Sequence, residues 1–233
     1  MPLYMTYQFE NIITILLMVV AAIVVIAAQA YITSTYKKYK KISNKLGISG
    51  SEVAIKMLEA NGLSHVYVVE TTGELTDHYD PTRKVIKLSK DIFHGETIAG
   101  IAVAAHECGH AIQDKEGYKP MRIRASLVPF VNLVSYAGYF AILIGAFAGI
   151  MNTLYIGIAM LCATLLFQVV TLPVEFDASR RALKALEKNI KLSSSEVEGA
   201  ESMLKAAAFT YVAGVISTLL NILRLVLMNR DRD

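Results

Sequence analysis

Near the middle of the chain stands Ala104-Ala105-His106-Glu107-Cys108-Gly109-His110-Ala111, an HExxH motif inside an apolar run over residues 98–112. Residues four apart share one face of an α-helix, so a helix here presents both histidines to a single metal ion. Glu107 lies one step round that helix, where a carboxylate can take a proton from water beside the metal. Burying an inert His-Glu-His cluster is costly, which favours a zinc hydrolase over two histidines that occur by chance.

The composition is that of a membrane protein. Hydrophobic residues make up 54% of the 233 positions and charged residues only 18%, unlike ordinary soluble domains. The net charge of +3 is too small to indicate a nucleic-acid partner. Cys108 and Cys162 are interpreted as reduced thiols, and Cys108 points away from the face that the two histidines share, so it carries little weight as a ligand.

Residues 12–32 form the first apolar segment, which is long enough to cross a hydrocarbon core of about 30 Å. A cleavable signal peptide is the alternative, since residues 28–30 (Ala-Gln-Ala) resemble a cleavage site. Against it, Glu10 but no Lys or Arg precedes the run, and four lysines follow it, Lys37, Lys38, Lys40 and Lys41. We predict an uncleaved anchor over residues 1–35 with its N-terminus outside, and the lysines as a topology signal and headgroup anchor.

Residues 36–124 have the mixed composition of a water-facing domain, and we expect a small cytoplasmic α+β domain of zincin type that contains the HExxH helix. Ser49 or Ser51 can cap a helix that runs to about residue 60 and ends at Gly62. Strands are predicted over residues 66–69 and 84–88, separated by turns. Each strand is either plain scaffolding or an exposed edge to which an extended substrate adds by backbone pairing.

Residues 125–174 contain no charged residue and are long enough for two membrane spans, joined by a tight turn near 149–153. Pro173 is expected to kink or restart the helix where the chain leaves the membrane again. The segment therefore predicts a transmembrane hairpin that returns to the side from which it started.

Residues 175–205 are predicted to be cytoplasmic helices, the last of them capped by Ser193 and Glu196. In the remaining segment to residue 233, the apolar run over 206–223 is predicted to be a fourth span, with Arg224 snorkelling to the far interface. A helix lying along the membrane is the alternative. These segments together predict a mainly α-helical membrane protein with about four transmembrane helices.

Catalytic zinc generally takes three protein ligands, so the two histidines need a third. A metzincin would have Gly at position 113 and His at position 116, where this chain has Gln113 and Glu116; Glu116 stays a minor candidate. Glu175 fits a thermolysin-like site, because the motif lies just before the predicted hairpin and Glu175 just after it, although its charge could instead serve only a helix start. Asp177 faces elsewhere, and either orients a histidine or pairs with Arg181.

Three stretches of the chain resemble one known family. Residues 77–81 (Asp-His-Tyr-Asp-Pro), 104–113 and 172–179 (Leu-Pro-Val-Glu-Phe-Asp-Ala-Ser) together resemble the bacterial membrane-bound neutral zinc metallopeptidases of the YugP type. The resemblance covers most of the chain and implies a multi-span, gluzincin-like peptidase with its active site on the cytoplasmic side. It implies one zinc ion and the following site residues: His106, His110 and Glu175 as ligands, with Glu107 as the base. Cys108 departs from the aliphatic residue expected at its position, which leaves the ligands untouched.

The sequence therefore predicts a zinc metalloendopeptidase of the cell membrane that hydrolyses membrane-associated or cytoplasmic-side polypeptides. Its expected partners are a polypeptide substrate and the lipid bilayer, and no nucleic acid; oligomeric state and cleavage preference are left open. The alternative is a catalytically silent zinc-binding scaffold or membrane chaperone. The intact Glu107 argues against that alternative, because a structural zinc site generally has four ligands and needs no such carboxylate.

The developing oxyanion of peptide hydrolysis needs a stabilising partner that the motif does not supply. Arg180, Arg181 and His78 are candidates, although the arginines could instead contact lipid headgroups and His78 could be a surface residue of a turn. His65 and His94 have no partner visible in the sequence and are expected to be structural.

Overall fold

The computed structural model describes the backbone of residues 3–148 and 153–230, and the side chains within residues 12–227 apart from 139 and 141–154. Seven helices and three strands follow one another in these described ranges. They are α1 (Leu3–Tyr39), α2 (Gly50–Ala60), β1 (Tyr67–Thr71), β2 (His78–Asp80), β3 (Val85–Ser89), α3 (Lys90–His94), α4 (Ile98–Lys115), α5 (Lys119–Ala148), α6 (Thr153–Asn189) and α7 (Ser194–Arg230). The turn predicted near 149–153 falls almost wholly outside the described residues.

The chain divides into two compact units, of which the first comprises Met1–Gln29, Ile123–Thr171 and Thr210–Asp233. Its helical segments expose large apolar side chains, for example Ile26 and Leu133, each 66% exposed. A surface of this kind is unfavourable in water and suits lipid. Arg224, predicted to snorkel, lies in this unit with its Nη1 3.9 Å from the Met18 sulfur.

Three helical stretches of the described chain are long and apolar enough to cross a membrane: Ile12–Tyr39, Tyr155–Asn189 and Ser194–Leu227. The protein is therefore mainly helical, with three candidate spans and a small sheet. The first span of the predicted hairpin falls on α5, whose side chains beyond residue 138 are described only at residue 140. The span predicted over residues 206–223 falls on α7, within Ser194–Leu227. Pro173 lies inside α6, which continues through it, so the helix does not restart there.

The second unit comprises Ala30–Arg122 and Leu172–Phe209. Its sheet has the order β1-β3-β2, with β1 parallel and β2 antiparallel to the central β3. β1 and β3 confirm the two predicted strands, with ends that differ by at most about two residues. β2 was not predicted, because its three residues read as part of a turn. Since β3 is paired on both sides, it cannot accept a further strand; only β1 and β2 are edges.

Two predicted helix starts are confirmed by their hydrogen bonds. At α2, the Ser49 side chain accepts from the Glu52 backbone N–H, and the Glu52 carboxylate accepts from the Ser49 N–H at 2.7 Å. At α7, the buried Glu196 carboxylate accepts from the Ser193 N–H at 2.8 Å and also from the Lys45 N–H at 2.7 Å. The second contact ties the start of α7 to the segment that follows α1.

One lysine of the basic cluster after the first apolar run is engaged inside the second unit. The Lys40 Nζ lies 2.5 Å from the Asp91 carboxylate and 2.9 Å from that of Glu74. These partners raise the pKa of Lys40. The contact of Lys40 with Asp91 therefore joins the segment after α1 to α3. The predicted role as a headgroup anchor is left to the other lysines of the cluster, Lys37, Lys38 and Lys41.

Helix α4 lies at the centre of the second unit. Thr97 caps its N-terminus by accepting from the Gly100 N–H at 3.1 Å, and small or apolar residues bury most of the helix. Packed with it in one core are residues of α2, the sheet, α6 and α7, including Met57, Ile86, Leu186 and Met203. The HExxH motif is thus carried by the most buried helix of the unit, which holds its histidines in a rigid frame.

Candidate metal centre

The structure brings together three potential metal donors from two helices. His106 and His110 lie on one face of α4, with ring centroids 4.8 Å apart. The Glu175 Oε2 of α6 lies 3.2 Å from the His106 Nε2 and 3.6 Å from the His110 Nε2. One ligand atom from each of the three residues lies within 4.8 Å of the other two. The three residues expected to bind zinc therefore form one group.

A glycine inside the motif allows the two helices to approach. A Cβ added at Gly109 would lie 2.3 Å from the backbone oxygen of Ala178, far inside any allowed contact. Only glycine lets the α6 backbone come this close to α4. Because Ala178 is three residues after Glu175, the same approach carries the carboxylate to the histidines.

The group is shielded from solvent but not sealed. The His106 side chain is 16% exposed and that of Glu175 only 3%, and Glu107 is buried beside them. Burial alone would lower the pKa of His110, but hydrogen bonding to Glu175 and the charges of Glu107 and Glu175 raise it above its ordinary value. The site thus favours positive charge. Two imidazoles and one carboxylate are donors that suit zinc and leave room for water.

Each histidine has a hydrogen-bond partner on its other ring nitrogen. The His106 Nδ1 lies 3.2 Å from the Ser179 Oγ on α6, and the His110 Nδ1 lies 3.1 Å from the Gln113 Oε1 on α4. Neither partner was predicted to be functional. The available signal was spacing, because Gln113 is three residues after His110, and Ser179 four after Glu175, on a shared helix face.

Asp177 does not touch a histidine. Its carboxylate accepts from the Gln113 Nε2 at 3.0 Å and forms ion pairs with Arg180 and Arg181. The predicted pairing with Arg181 is confirmed, whereas direct orientation of a histidine by Asp177 is wrong. The reason is that Asp177, two residues beyond Glu175, points to a different face of α6 and reaches His110 only through Gln113.

The other ligand candidates lie apart from the group. Glu116 caps the C-terminus of α4 with its side chain 55% exposed, and pairs with the Arg181 Nη1 at 2.5 Å. Cys108 is fully buried, with its Sγ 3.6 Å from the backbone oxygen of Ala54. Burial raises the pKa of Cys108 far above its ordinary value, so the thiol stays protonated.

The three oxyanion candidates are engaged with other groups. Arg181 is held by Asp177 and Glu116 and lies over the Tyr118 ring, 5.6 Å from its centroid. Arg180 pairs with Asp177 but keeps an exposed side chain. His78 begins strand β2, and its Nδ1 lies 2.8 Å from the Thr76 carbonyl oxygen.

The two remaining histidines lie on the surface. The His94 Nε2 lies 2.7 Å from the Glu70 carboxylate, and its ring packs edge-on against Phe93. His94 therefore has a partner that the sequence did not reveal, while His65 is exposed. Neither belongs to the metal group, and the structural role expected for both stays a prediction.

Residues 14–230 match the model of a family described as "Putative neutral zinc metallopeptidase". The chain is 40% identical over 201 residues to the "Putative membrane protease YugP" of Bacillus subtilis (strain 168), a match that covers 86% of this chain and 89% of that protein. No solved structure matches. Because the family model spans nearly the whole chain, the chain belongs to this family of neutral zinc metallopeptidases.

Proposed function

We propose that the protein is a membrane-bound metalloendopeptidase of gluzincin type that uses one zinc ion. The observation that carries the proposal is the convergence of His106, His110 and Glu175, with ligand atoms within 4.8 Å of one another, beside the buried Glu107. A purely structural zinc site generally has four protein ligands, whereas three leave a position for water. A silent scaffold would have no use for a buried carboxylate next to such a site.

The catalytic roles follow from the positions of the side chains. Zinc bound by these three residues would act as a Lewis acid towards water and towards the carbonyl of the scissile peptide bond. Glu107 takes the proton from water as attack begins and then delivers it to the amine that leaves. Burial beside the donors keeps the Glu107 carboxylate in a poorly solvated environment.

Glu107→Gln tests this proposal, because glutamine keeps the shape of the side chain but cannot accept the proton. We expect peptide hydrolysis to fall by about 10²–10⁴-fold or more, the usual contribution of a general base. Zinc content should stay near that of the wild type. Digestion of a peptide library and metal analysis of the purified proteins measure the two effects. Full activity in the zinc-loaded variant would remove Glu107 from the mechanism, and a zinc-loaded wild type that cleaves no peptide would favour the silent scaffold.

We further propose four membrane spans in the cell membrane, with the metal centre on the cytoplasmic side and polypeptides of the membrane or cytoplasm as substrates. The support is the charge distribution: no Lys or Arg precedes Lys37, and residues 125–174 carry no charge. Lys45→Cys in a background free of other cysteines tests the orientation, since this side chain is exposed. An impermeant thiol reagent should label it only after cells are opened. Labelling in intact cells would contradict the proposed orientation.

A further inference from the structure

The hydrogen bonds around Gln113 determine how its amide is turned. Gln113 is completely buried. Its Nε2 lies 2.8 Å from the Val174 carbonyl oxygen and 3.0 Å from the Asp177 carboxylate. Both of these groups only accept hydrogen bonds, so the NH₂ end of the amide must face them. The Oε1 end must then face His110.

The orientation of the amide in turn determines the tautomer of neutral His110. The His110 Nδ1 lies 3.1 Å from the Gln113 Oε1, and an amide oxygen can only accept. Nδ1 therefore carries the hydrogen, which leaves the lone pair of a neutral imidazole on Nε2. That nitrogen is the one that faces Glu175, at 3.6 Å, as a metal ligand must.

His106 is held in a different way. Its Nδ1 lies 3.2 Å from the Ser179 Oγ, and a hydroxyl can either donate or accept. Ser179 therefore steadies the ring without imposing one tautomer. Of the two histidines, only His110 is tied by a one-directional chain of hydrogen bonds to a charged group, Asp177.

We propose that Gln113 is a positioning residue that imposes the metal-binding tautomer of His110 and couples this ring to the Asp177 carboxylate. The inference rests on the zinc site proposed above. The amide does what a carboxylate next to a ligand histidine often does, but it adds no negative charge beside Glu107 and Glu175. The charged carboxylate of Asp177 contacts Gln113 and not His110, and the positive charges of Arg180 and Arg181 offset it.

Three variants test the chain of hydrogen bonds. Gln113→Met keeps the bulk of the side chain and removes both ends of the relay. Gln113→Glu keeps an acceptor for His110 but loses both donors and sets a carboxylate against that of Asp177. The double variant Gln113→Glu with Asp177→Asn exchanges amide and carboxylate, so that the amide now at position 177 donates and the carboxylate now at position 113 accepts from His110.

Equilibrium zinc affinity, measured by competition with a chromophoric chelator, is the first readout. We expect Gln113→Met to bind zinc about 10–100-fold more weakly, the usual cost of losing the partner of a ligand histidine. Gln113→Glu should also bind more weakly, and the double variant should recover part of the affinity that Gln113→Glu loses. The visible absorption of the cobalt(II)-substituted proteins is the second readout, and should change in Gln113→Met because the His110 ring is no longer held.

Asp114→Asn is the matched control, one residue further along α4. It disturbs bonds of similar kind, from the Tyr79 hydroxyl at 2.6 Å and the Lys84 Nζ at 2.5 Å, without touching His110. It should lower the melting temperature and leave zinc affinity and the cobalt spectrum unchanged. If Gln113→Met merely loosened the fold, Asp114→Asn would lower the affinity in the same way, and the inference would be overturned.

The two levels of the proposal fail differently. A wild-type protein that binds no zinc contradicts the proposed metal site itself. A wild type that binds zinc, with Gln113→Met equal to it in affinity and cobalt spectrum, contradicts only the role of Gln113. Absence of recovery in the double variant, with Gln113→Met and Gln113→Glu both impaired, contradicts the coupling to Asp177.

Discussion

The two helices that form the metal centre contribute to it in different ways. Helix α4 supplies two donors and the base within five residues, and even supplies Gln113 as the partner of His110. Helix α6 supplies one donor, Glu175, and also Ser179, whose hydroxyl contacts His106 of α4. The contribution of α4 is a local property of one helix, whereas that of α6 exists only while the two backbones remain in contact. The α6 half should therefore be the more sensitive to changes in packing.

The largest effect is expected from Gly109→Ala, which separates the two halves directly. In most helices this substitution stabilises by about 0.5–1 kcal/mol. Here the new Cβ would lie 2.3 Å from the Ala178 backbone oxygen, which cannot turn aside as a side chain could. We expect destabilisation at or above the upper end of the 1–3 kcal/mol that overpacking costs, about 3 kcal/mol, together with loss of tight zinc binding. Thermal unfolding and zinc titration measure the two effects.

Gly157→Ala is the control for that variant. Gly157 is also helical, but among the described residues an added Cβ there meets only the Leu225 Cδ1, at an ordinary 3.9 Å. The control should be neutral or slightly stabilising and should keep its zinc. If Gly109→Ala behaved like Gly157→Ala, the close approach of α4 and α6 would not be what delivers Glu175.

The second effect in size is expected from Glu175→Ala, which removes the donor of α6 and leaves α4 intact. Losing one of three ligands should cost most of the zinc affinity, while the fold keeps its core. Glu116→Ala, which removes an exposed carboxylate paired with Arg181, should retain zinc. Metal analysis after dialysis compares the two. Retention by Glu175→Ala and loss by Glu116→Ala would confine the site to α4 and its C-cap residue.

The smallest effect is expected from Ser179→Ala. It removes a neutral partner of His106 that does not impose a tautomer, and Ala is well tolerated in a helix. Zinc affinity should fall by about tenfold or less, the low end of the range for partners of ligand histidines. Chelator competition beside the Gln113 variants gives the comparison. A greater loss than in Gln113→Met would mean that α6, and not α4, holds the imidazoles in place.

The local half of this centre is also the half that sequence reasoning predicts. Spacing of four on a helix is enough to place His106 with His110. Two serines are enough to predict where α2 begins, and the structure gives Ser49, and not Ser51, as the cap. Glu175 was expected from its position after an apolar hairpin, and the structure brings it to the histidines. Glu175 reaches the histidines through the contact of Gly109 with Ala178. The sequence does not predict this contact, because a glycine within a helix does not show which segment of the chain packs against it.

Other features depended on partners that are distant in sequence. Strand β2 is only three residues long and forms because β3 offers it a paired edge. The direct partners of the histidines, Gln113 and Ser179, were not predicted, because glutamine and serine are common in helices and the sequence does not show that a histidine lies next to them. Asp177 drew attention as a carboxylate near a ligand, yet helix geometry turns it towards Gln113 and the arginines.

The distance along the chain between the donors has a consequence for folding. His106 and Glu175 are 69 residues apart, so an unfolded chain that binds zinc through the two histidines must still close a long loop to engage the carboxylate. Closing such a loop costs about 4 kcal/mol of chain entropy, or roughly a thousandfold in affinity. The folded chain would therefore bind zinc much more tightly than the unfolded chain. Bound zinc would then indicate that α6 has packed against α4.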